Sequence, residues 1–177
     1  MDFFEKKISS KTIYSGKVLT LQVDDVKLPN GNTASREVVR HNGGVSVVAI
    51  DEDKNLLLVR QYRYPYGENL LEIPAGKLEK GEDPELCGIR ELREETGYEA
   101  GNFKFLAEFY PTPGYTDERL YIFTAENLTY KGQKLDADEF LSVQRIPLEK
   151  AVEMCFNGEI KDAKSVIGIL MYNKNNS

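Results

Sequence analysis

The sequence contains one histidine and two cysteines among its 177 residues. The single histidine, His41, excludes a histidine-rich metal site and leaves a Ser/His/Asp triad only one candidate base. Cys87 and Cys155 lie far apart without Cys-x-x-Cys or Cys/His spacing, which argues against a zinc site and a disulfide scaffold. Carboxylates are therefore the remaining candidates for acid–base chemistry.

Long hydrophobic runs are also missing. The longest uninterrupted apolar stretches, such as Val47 to Ile50, are far too short to span a bilayer. The opening MDFFEKKISS lacks the apolar core of a signal peptide. We therefore expect a cytoplasmic protein with no membrane partner.

Basic residues are fewer than acidic residues. The chain has 23 Lys and Arg residues and 29 Asp and Glu residues, which gives a net charge of -6. A broad nucleic-acid surface usually needs a basic stripe that neutralises phosphates, so we expect no nucleic-acid partner. An acidic protein can still bind a phosphate ester if a metal ion carries the positive charge.

The composition, 41% hydrophobic and 29% charged, is typical of an ordinary globular chain with a sizeable core. Alternating apolar residues and the turn at 29–32 predict a hairpin near the N-terminus, interrupted by a bulge at Asp24–Asp25. Continuous apolar runs at 45–50 and 55–64 predict strands buried on both faces. The remaining predicted elements are strands at 18–23, 35–41, 103–110, 119–126 and 139–146, a helix that follows Pro147 and runs to about Phe156, and a helix from roughly Asp162 to Tyr172.

Residues 83–97 predict a helix. Asp83 is a suitable N-cap, Pro84 fits the first helical position, and Gly97 fits a left-handed C-cap. We expect its core face to carry Leu86, Ile89 and Leu92, and a second face to be acidic.

The acidic face crowds Glu91, Glu94 and Glu95 into the last turn. Like charges three or four residues apart repel one another, and the negative end of the helix dipole disfavours anions there. A solvated face relieved by Arg90 and Arg93 is one interpretation. Because carboxylates one turn apart can reach the same hard cation, a magnesium site is the sharper one.

Residues 76–98, GKLEKGEDPELCGIRELREETGY, resemble the Nudix box in every spacing. Tyr98 departs mildly, since the final position is more often aliphatic. The resemblance implies an α/β fold, a Nudix-type α/β/α sandwich with a mixed sheet, that holds Mg2+ or Mn2+ against a diphosphate. The implied metal ligands are Glu91, Glu95, Glu94 and the carbonyl of Ala75, with Arg90 orienting the glutamates and Glu82 supporting them.

The whole chain resembles the ADP-ribose pyrophosphatase branch of that superfamily. The features that carry this resemblance are RE at 36–37, QYR at 61–63, the EIPAG segment, PTPGYTDE at 111–118 and the ending EIKDAKSVIGIL. It implies adenine contacts from Arg36, Glu37 and Arg63, and diphosphate and ribose contacts from Lys77, Thr112, Pro113, Gly114 and Glu118. A strand-surface charge is the alternative for Arg36 and for Arg63. Tyr62, Tyr64 and Tyr66 could stack on a base or be half-buried sheet residues.

The branch also implies a homodimer formed by swapped N-terminal sheets, with residues 1–40 as an antiparallel layer and residues 41–177 as the Nudix domain. A carboxylate before the last strand would serve as general base or bind a catalytic metal. Glu139 is the first match to this carboxylate, and Asp136 and Asp138 are alternatives.

The predicted activity is hydrolysis of ADP-ribose. The alternatives are hydrolysis of another nucleoside diphosphate sugar or a dinucleotide, and a catalytically silent nucleotide-sensing domain.

Overall fold

The computed structural model describes residues 2–135, 137 and 139–176. The chain divides into two compact units. The first comprises Met1–Gly43 and Tyr110–Arg119, and the second comprises Gly44–Phe109 and Leu120–Ser177.

The first unit contains a three-stranded antiparallel sheet in the order β1-β2-β3. The strands are β1 (Lys6–Ser15), β2 (Leu19–Lys27) and β3 (Thr33–His41). The predicted hairpin between β2 and β3 is confirmed. Gly31 turns the chain with a φ of 87°, and its amide donates to the carbonyl of Leu28. Strand β1 was not among the predicted strands, and it is exposed along its whole length.

The predicted bulge at Asp24–Asp25 is wrong. Strand β2 pairs with β3 in unbroken register through both residues, and the irregularities lie in β1 instead. Asp24 can remain in the strand although it is only 5% exposed, because Lys7 and Arg40 lie 3.0 and 3.5 Å from its carboxylate. The two charges compensate for burying the carboxylate.

The second unit contains two sheets and three helices. A mixed four-stranded sheet has the order β7-β4-β9-β8, with β4 and β9 parallel, and an antiparallel sheet has the order β10-β5-β6. The elements are β4 (Gly44–Ala49), β5 (Asn55–Arg63), β6 (Glu68–Glu72), β7 (Ala75–Lys77), α1 (Pro84–Thr96), β8 (Tyr98–Phe109), β9 (Leu120–Tyr130), β10 (Leu141–Pro147), α2 (Leu148–Phe156) and α3 (Ala163–Asn175). The predicted helices are confirmed, whereas the short strands β6 and β7 were not predicted.

Apolar side chains pack on both faces of the mixed sheet. Strand β4 is buried along its whole length, as its continuous apolar run predicts. Val47 belongs to a cluster with Leu92 of α1, and the next residue, Val48, belongs to a cluster with Ile169 of α3. Because successive side chains of a strand point to opposite faces, α1 and α3 cover opposite sides of the sheet. This arrangement confirms the predicted α/β/α sandwich. No helix in the described part of the chain combines the length and the apolar character needed to cross a bilayer.

Candidate active site

Helix α1 begins and ends where the sequence predicts. The Asp83 carboxylate accepts hydrogen bonds from the amides of Glu85 and Leu86, at 2.8 and 3.2 Å. Gly97 adopts a left-handed conformation with a φ of 79°, and its amide donates to the carbonyl of Arg93. The two caps fix the length of the helix and therefore the position of its acidic last turn.

The core face of α1 differs from the prediction. Leu92 is buried as expected, but Leu86 is 66% exposed and Ile89 is 40% exposed. Cys87 and Gly88 are buried in their place. A Cβ atom on Gly88 would lie 2.9 Å from Phe103 and 3.0 Å from Val45, so only small residues fit at this contact. The larger side chains of Leu86 and Ile89 consequently face solvent.

Glu95 is a buried acid, only 3% exposed. One carboxylate oxygen accepts a hydrogen bond of 2.9 Å from the amide of Ala75. Burial raises the pKa of Glu95 to about 8, and the negative charges of Glu91 and Glu139 act in the same direction. Glu91 and Glu139, which together with Glu95 we call the carboxylate cluster, therefore lie close enough to disfavour the ionisation of Glu95.

Arg90 pairs with the acids around it. Its guanidinium lies 2.8 Å from Glu91, 3.0 Å from Glu94 and 3.1 Å from Glu82. Glu82 in turn accepts a hydrogen bond from the amide of Glu79, and this bond is the largest cause of its lowered pKa. Arg90 therefore connects the loop before α1 to the last turn of the helix, where it offsets part of the repulsion.

Gly76 lies directly against the side chain of Glu91. A Cβ atom on residue 76 would lie 1.9 Å from the carboxyl carbon of Glu91 and 2.0 Å from its Oε1. Such a separation is far below van der Waals contact, so any larger residue would displace Glu91. The glycine at the start of the box thus makes room for an acid fifteen residues later in the sequence.

The donor chemistry of this region fits a hard divalent cation, which prefers carboxylate and carbonyl oxygens. A buried carboxylate whose ionisation is disfavoured by burial and by like charges is a group that a bound cation would stabilise. Within the described ranges, no three acidic, cysteine or histidine side chains already stand at metal-holding distances. One carboxylate oxygen of Glu91 and one of Glu94 accept hydrogen bonds from Arg90.

The segment that leads to Glu139 is attached to the C-terminal end of α1. The amide of Lys131 donates to the carbonyl of Gly97 at 2.7 Å, and the amide of Lys134 donates to that of Glu94 at 3.1 Å. Between them, the side-chain amide of Gln133 donates to the carbonyl of Glu95. Nothing in the sequence pattern singled out Gln133. Of the alternative acids on this segment, Asp136 and Asp138 lie outside the described residues.

Tyr98, the departure from the usual box pattern, has a structural partner in β10. Arg145 donates a hydrogen bond to the Tyr98 hydroxyl and stands 5.6 Å from the centre of its ring. Tyr130 packs edge-on against the same ring, with centroids 5.2 Å apart. Tyr98 therefore connects the end of the box to β10, the strand that follows Glu139.

Arg63 belongs to an ion-pair network that the sequence did not reveal. Its Nε and Nη2 atoms donate to the two oxygens of Glu72 at 2.6 and 2.8 Å. Lys164, from the first turn of α3, pairs with Glu72 and lies 2.9 Å from Asp162. Burial opposes ionisation of Glu72, but the hydrogen bonds and charges of Arg63 and Lys164 outweigh it and lower its pKa to about 2.

The predicted substrate residues fall into two groups. Arg63 and Lys77 belong to the second unit. Lys77 lies opposite Gly44 in the β7–β4 pair. The other predicted substrate residues, Arg36, Glu37, Thr112, Pro113, Gly114 and Glu118, belong to the first unit.

Within the first unit, the segment 110–119 runs along β3. The amide of Val39 donates to the carbonyl of Tyr115 at 2.7 Å. Glu118 has a carboxylate oxygen 3.5 Å from Nδ1 of His41. Arg36 forms two hydrogen bonds with Glu5, at 2.6 and 2.9 Å, so it has a partner within its own unit.

The three tyrosines of the β5–β6 hairpin are exposed. Tyr62 lies in β5 and is 53% exposed, whereas Tyr64 and Tyr66 lie in the turn and are 87% and 74% exposed. The half-buried interpretation is therefore wrong for the two turn tyrosines.

Comparison with known proteins identifies two family patterns in the chain. The NUDIX domain matches residues 40–167, and the nucleoside diphosphate sugar hydrolase N-terminal domain matches residues 5–39. A methanol dehydrogenase activator of Bacillus methanolicus is 46% identical over 94% of this chain and 91% of the relative. An ADP-ribose pyrophosphatase of Bacillus subtilis is 45% identical over 93% of this chain and 90% of the relative.

A solved structure shares the fold. The crystal structure of an ADP compounds hydrolase aligns with a TM-score of 0.84 over 96% of this chain and 92% of the other, at 23% identity. The resemblance based on the box is thus confirmed by matches that extend over nearly the whole chain. The chain belongs to the Nudix hydrolase superfamily.

Proposed function

We propose that this Nudix hydrolase cleaves the diphosphate bond of ADP-ribose to give AMP and ribose 5-phosphate. The observation that carries the reaction class is the carboxylate cluster, in which Glu95 is buried beside Glu91 and within electrostatic reach of Glu139. The choice of ADP-ribose is supported by a relative of that activity at 45% identity. It is also supported by the branch features at 36–37, 61–63 and 111–118.

Glu91, Glu95, Glu94 and the carbonyl of Ala75 would hold Mg2+, with Mn2+ as an alternative. A bound divalent ion polarises phosphoryl oxygens and lowers the pKa of a water ligand. Arg90 would hold Glu91 and Glu94 in place, as its present contacts with both suggest. Gly76 leaves the space that Glu91 occupies.

Glu139 would act as the general base. Water attacks one phosphorus of the diphosphate, the bond from that phosphorus to the bridging oxygen breaks, and the proton of the water passes to a Glu139 oxygen. Its charge raises the pKa of both Glu91 and Glu95, which supports a place beside the reacting groups. Asp136 and Asp138 remain alternative bases, and Glu139 could instead join the metal ligands.

The substrate contacts are proposed as the family resemblance implies them. We assign the adenine side to Arg36, Glu37 and Arg63, and the diphosphate and terminal ribose to Lys77, Thr112, Pro113, Gly114 and Glu118. We also propose that the enzyme is a homodimer formed through the N-terminal sheets. The exposed apolar residues of β1, Ile8, Ile13 and Tyr14, support this interface because they are 51–59% exposed in the single chain.

A substrate panel with and without chelator tests the proposal. ADP-ribose, other nucleoside diphosphate sugars and dinucleotides are compared by kcat/KM, and AMP and ribose 5-phosphate are identified as products. We expect ADP-ribose to rank first and EDTA to abolish turnover. Glu95→Gln should lose activity, whereas Glu99→Gln, which removes an acid paired with Arg93 outside the cluster, should keep it.

The same substrate panel tests two alternative functions. A flat profile, or a preference for another sugar, would favour a broader nucleoside diphosphate sugar hydrolase, as the match at residues 5–39 permits. A silent nucleotide sensor would bind ADP-ribose without releasing AMP. The complete glutamate set at 91, 94 and 95 argues against such a sensor.

A further inference from the structure

Glu72 is one of the most deeply buried acids in the described part of the chain, at 1% exposure, and it lies at the end of β6. It receives a two-point contact from Arg63 and a third contact from Lys164. A two-point contact between a guanidinium and a carboxylate fixes the plane of both groups. The direction of Arg63 is therefore set by Glu72.

Lys164 compensates for the buried charge. Its side chain is only 13% exposed, and besides Glu72 it contacts Asp162, the N-cap of α3. With Arg63, the four groups carry two positive and two negative charges. Removing Lys164 would leave Glu72 with one cationic partner and Asp162 without this contact, which is costly for groups so far from water.

The network continues into the backbone that reaches the carboxylate cluster. The amide of Ile73 donates to the Ser165 hydroxyl at 2.9 Å, and that hydroxyl donates to Asp162. Two residues later, the amide of Ala75 donates to Glu95. A shift of Glu72 would therefore displace the segment that supports the buried glutamate.

Arg63 connects the network to the proposed substrate site. Its side chain is 37% exposed, and its charge lies within electrostatic reach of Glu95. Nε and Nη2 are engaged by Glu72, but no described residue accepts a hydrogen bond from Nη1. One edge of the guanidinium is thus anchored and the other is available to a ligand.

We propose that Glu72 and Lys164 are positioning residues, which orient Arg63 so that its free edge contacts the adenine side of the bound nucleoside diphosphate substrate. This inference rests on the proposed function and deepens it, because it connects the first turn of α3 to catalysis. Neither residue would touch the substrate. Their effect would pass through Arg63.

The test is a double-mutant cycle between Lys164→Met and Arg63→Lys, measured as kcat/KM with saturating Mg2+. Each single change should lower kcat/KM about tenfold or more. The double variant should be no worse than Arg63→Lys alone, because residues that act as one unit have non-additive effects. Lys164→Arg should restore most of the activity, since it keeps the charge.

The matched control is Lys161→Met. Lys161 pairs with Glu68 at 3.1 Å and so also joins the α3 side to β6, but its side chain is 57% exposed and its hydrogen bonds go to Glu68 rather than to Glu72 or Asp162. It should leave kcat/KM unchanged. Circular dichroism confirms that each variant is folded, and Lys164→Gln replaces Lys164→Met in the cycle if the latter does not fold.

Additive losses in the cycle, or full kcat/KM in a folded Lys164→Met or Lys164→Gln protein, would overturn the inference. The wild-type turnover tests the proposed function separately. If the wild type prefers another diphosphate, the cycle is measured on that substrate and the inference is judged there. A wild type that cleaves no diphosphate overturns both.

Discussion

Gly76 and Glu91 are in direct contact, because a Cβ atom at residue 76 would stand 1.9 Å from the carboxyl carbon of Glu91. The Gly76→Ala change should therefore move Glu91 out of the carboxylate cluster. We expect kcat/KM to fall about a hundredfold, equivalent to about 2.7 kcal/mol of transition-state stabilisation. Steady-state kinetics on ADP-ribose measures the loss.

A second variant separates displacement from unfolding. Glu91→Ala removes the Cγ, Cδ and Oε1 atoms that the added Cβ would meet, so in the Gly76→Ala background it should relieve the clash and recover thermal stability without restoring activity. Full activity in Gly76→Ala alone would contradict the assigned contact.

Glu95 should destabilise the protein when no metal is bound. Its burial raises the pKa to about 8, so at neutral pH folding must either remove the charge or bury it. In EDTA at pH 7.5, Glu95→Gln should raise the free energy of unfolding by about 4 kcal/mol, because this pH lies about three units above the ordinary pKa of 4.5 and each unit is worth about 1.36 kcal/mol. Mg2+ should stabilise the wild type and have little effect on the variant. Urea unfolding measures both quantities, and an unstabilised variant would show that Glu95 is not strained.

The helix was predictable because its signals are local. Asp83, Pro84 and Gly97 act within one or two turns of the chain, and the structure places each in its expected role. The core face of α1 was mispredicted because the burial of a helix residue depends on the side chains that pack against the helix. The close approach of α1 to Val45 and Phe103 admits Gly88 and leaves no room for larger side chains.

The ion-pair network could not be predicted because its members are distant in the sequence. Lys164 meets Glu72 only after α3 packs against the sheet, and neither residue belongs to the box. The strand β7 is equally non-local, since its three residues form a strand only by pairing with β4. Spacing along the chain shows which acidic residues share a helix face, but it does not show which Lys or Arg side chains pair with them in the fold.

Glu72 should make stability depend on pH in the acid range. Its folded pKa of about 2 lies below the ordinary value of 4.5, so its contribution is fully present above pH 4.5 and is lost as pH falls towards 2. The shift corresponds to about 3 kcal/mol. Unfolding free energies of the wild type should fall more steeply between pH 5 and pH 3 than those of Glu72→Gln. Parallel curves would show that Arg63 and Lys164 do not hold the carboxylate ionised.

Gln133 should matter for catalysis more than for stability. Its side-chain amide fastens the segment that carries Glu139 to the carbonyl of Glu95, at the end of α1. Gln133→Ala removes this attachment but leaves the two backbone bonds on either side, so the fold should persist while Glu139 becomes less well placed. We expect kcat to fall about tenfold with little change in KM, since the lost precision affects the transition state. Lys131→Ala is the matched control, because Lys131 reaches Gly97 through its backbone amide, which the substitution keeps. If both variants retain the wild-type kcat, Gln133 does not position Glu139, and the backbone bonds alone suffice to hold the segment.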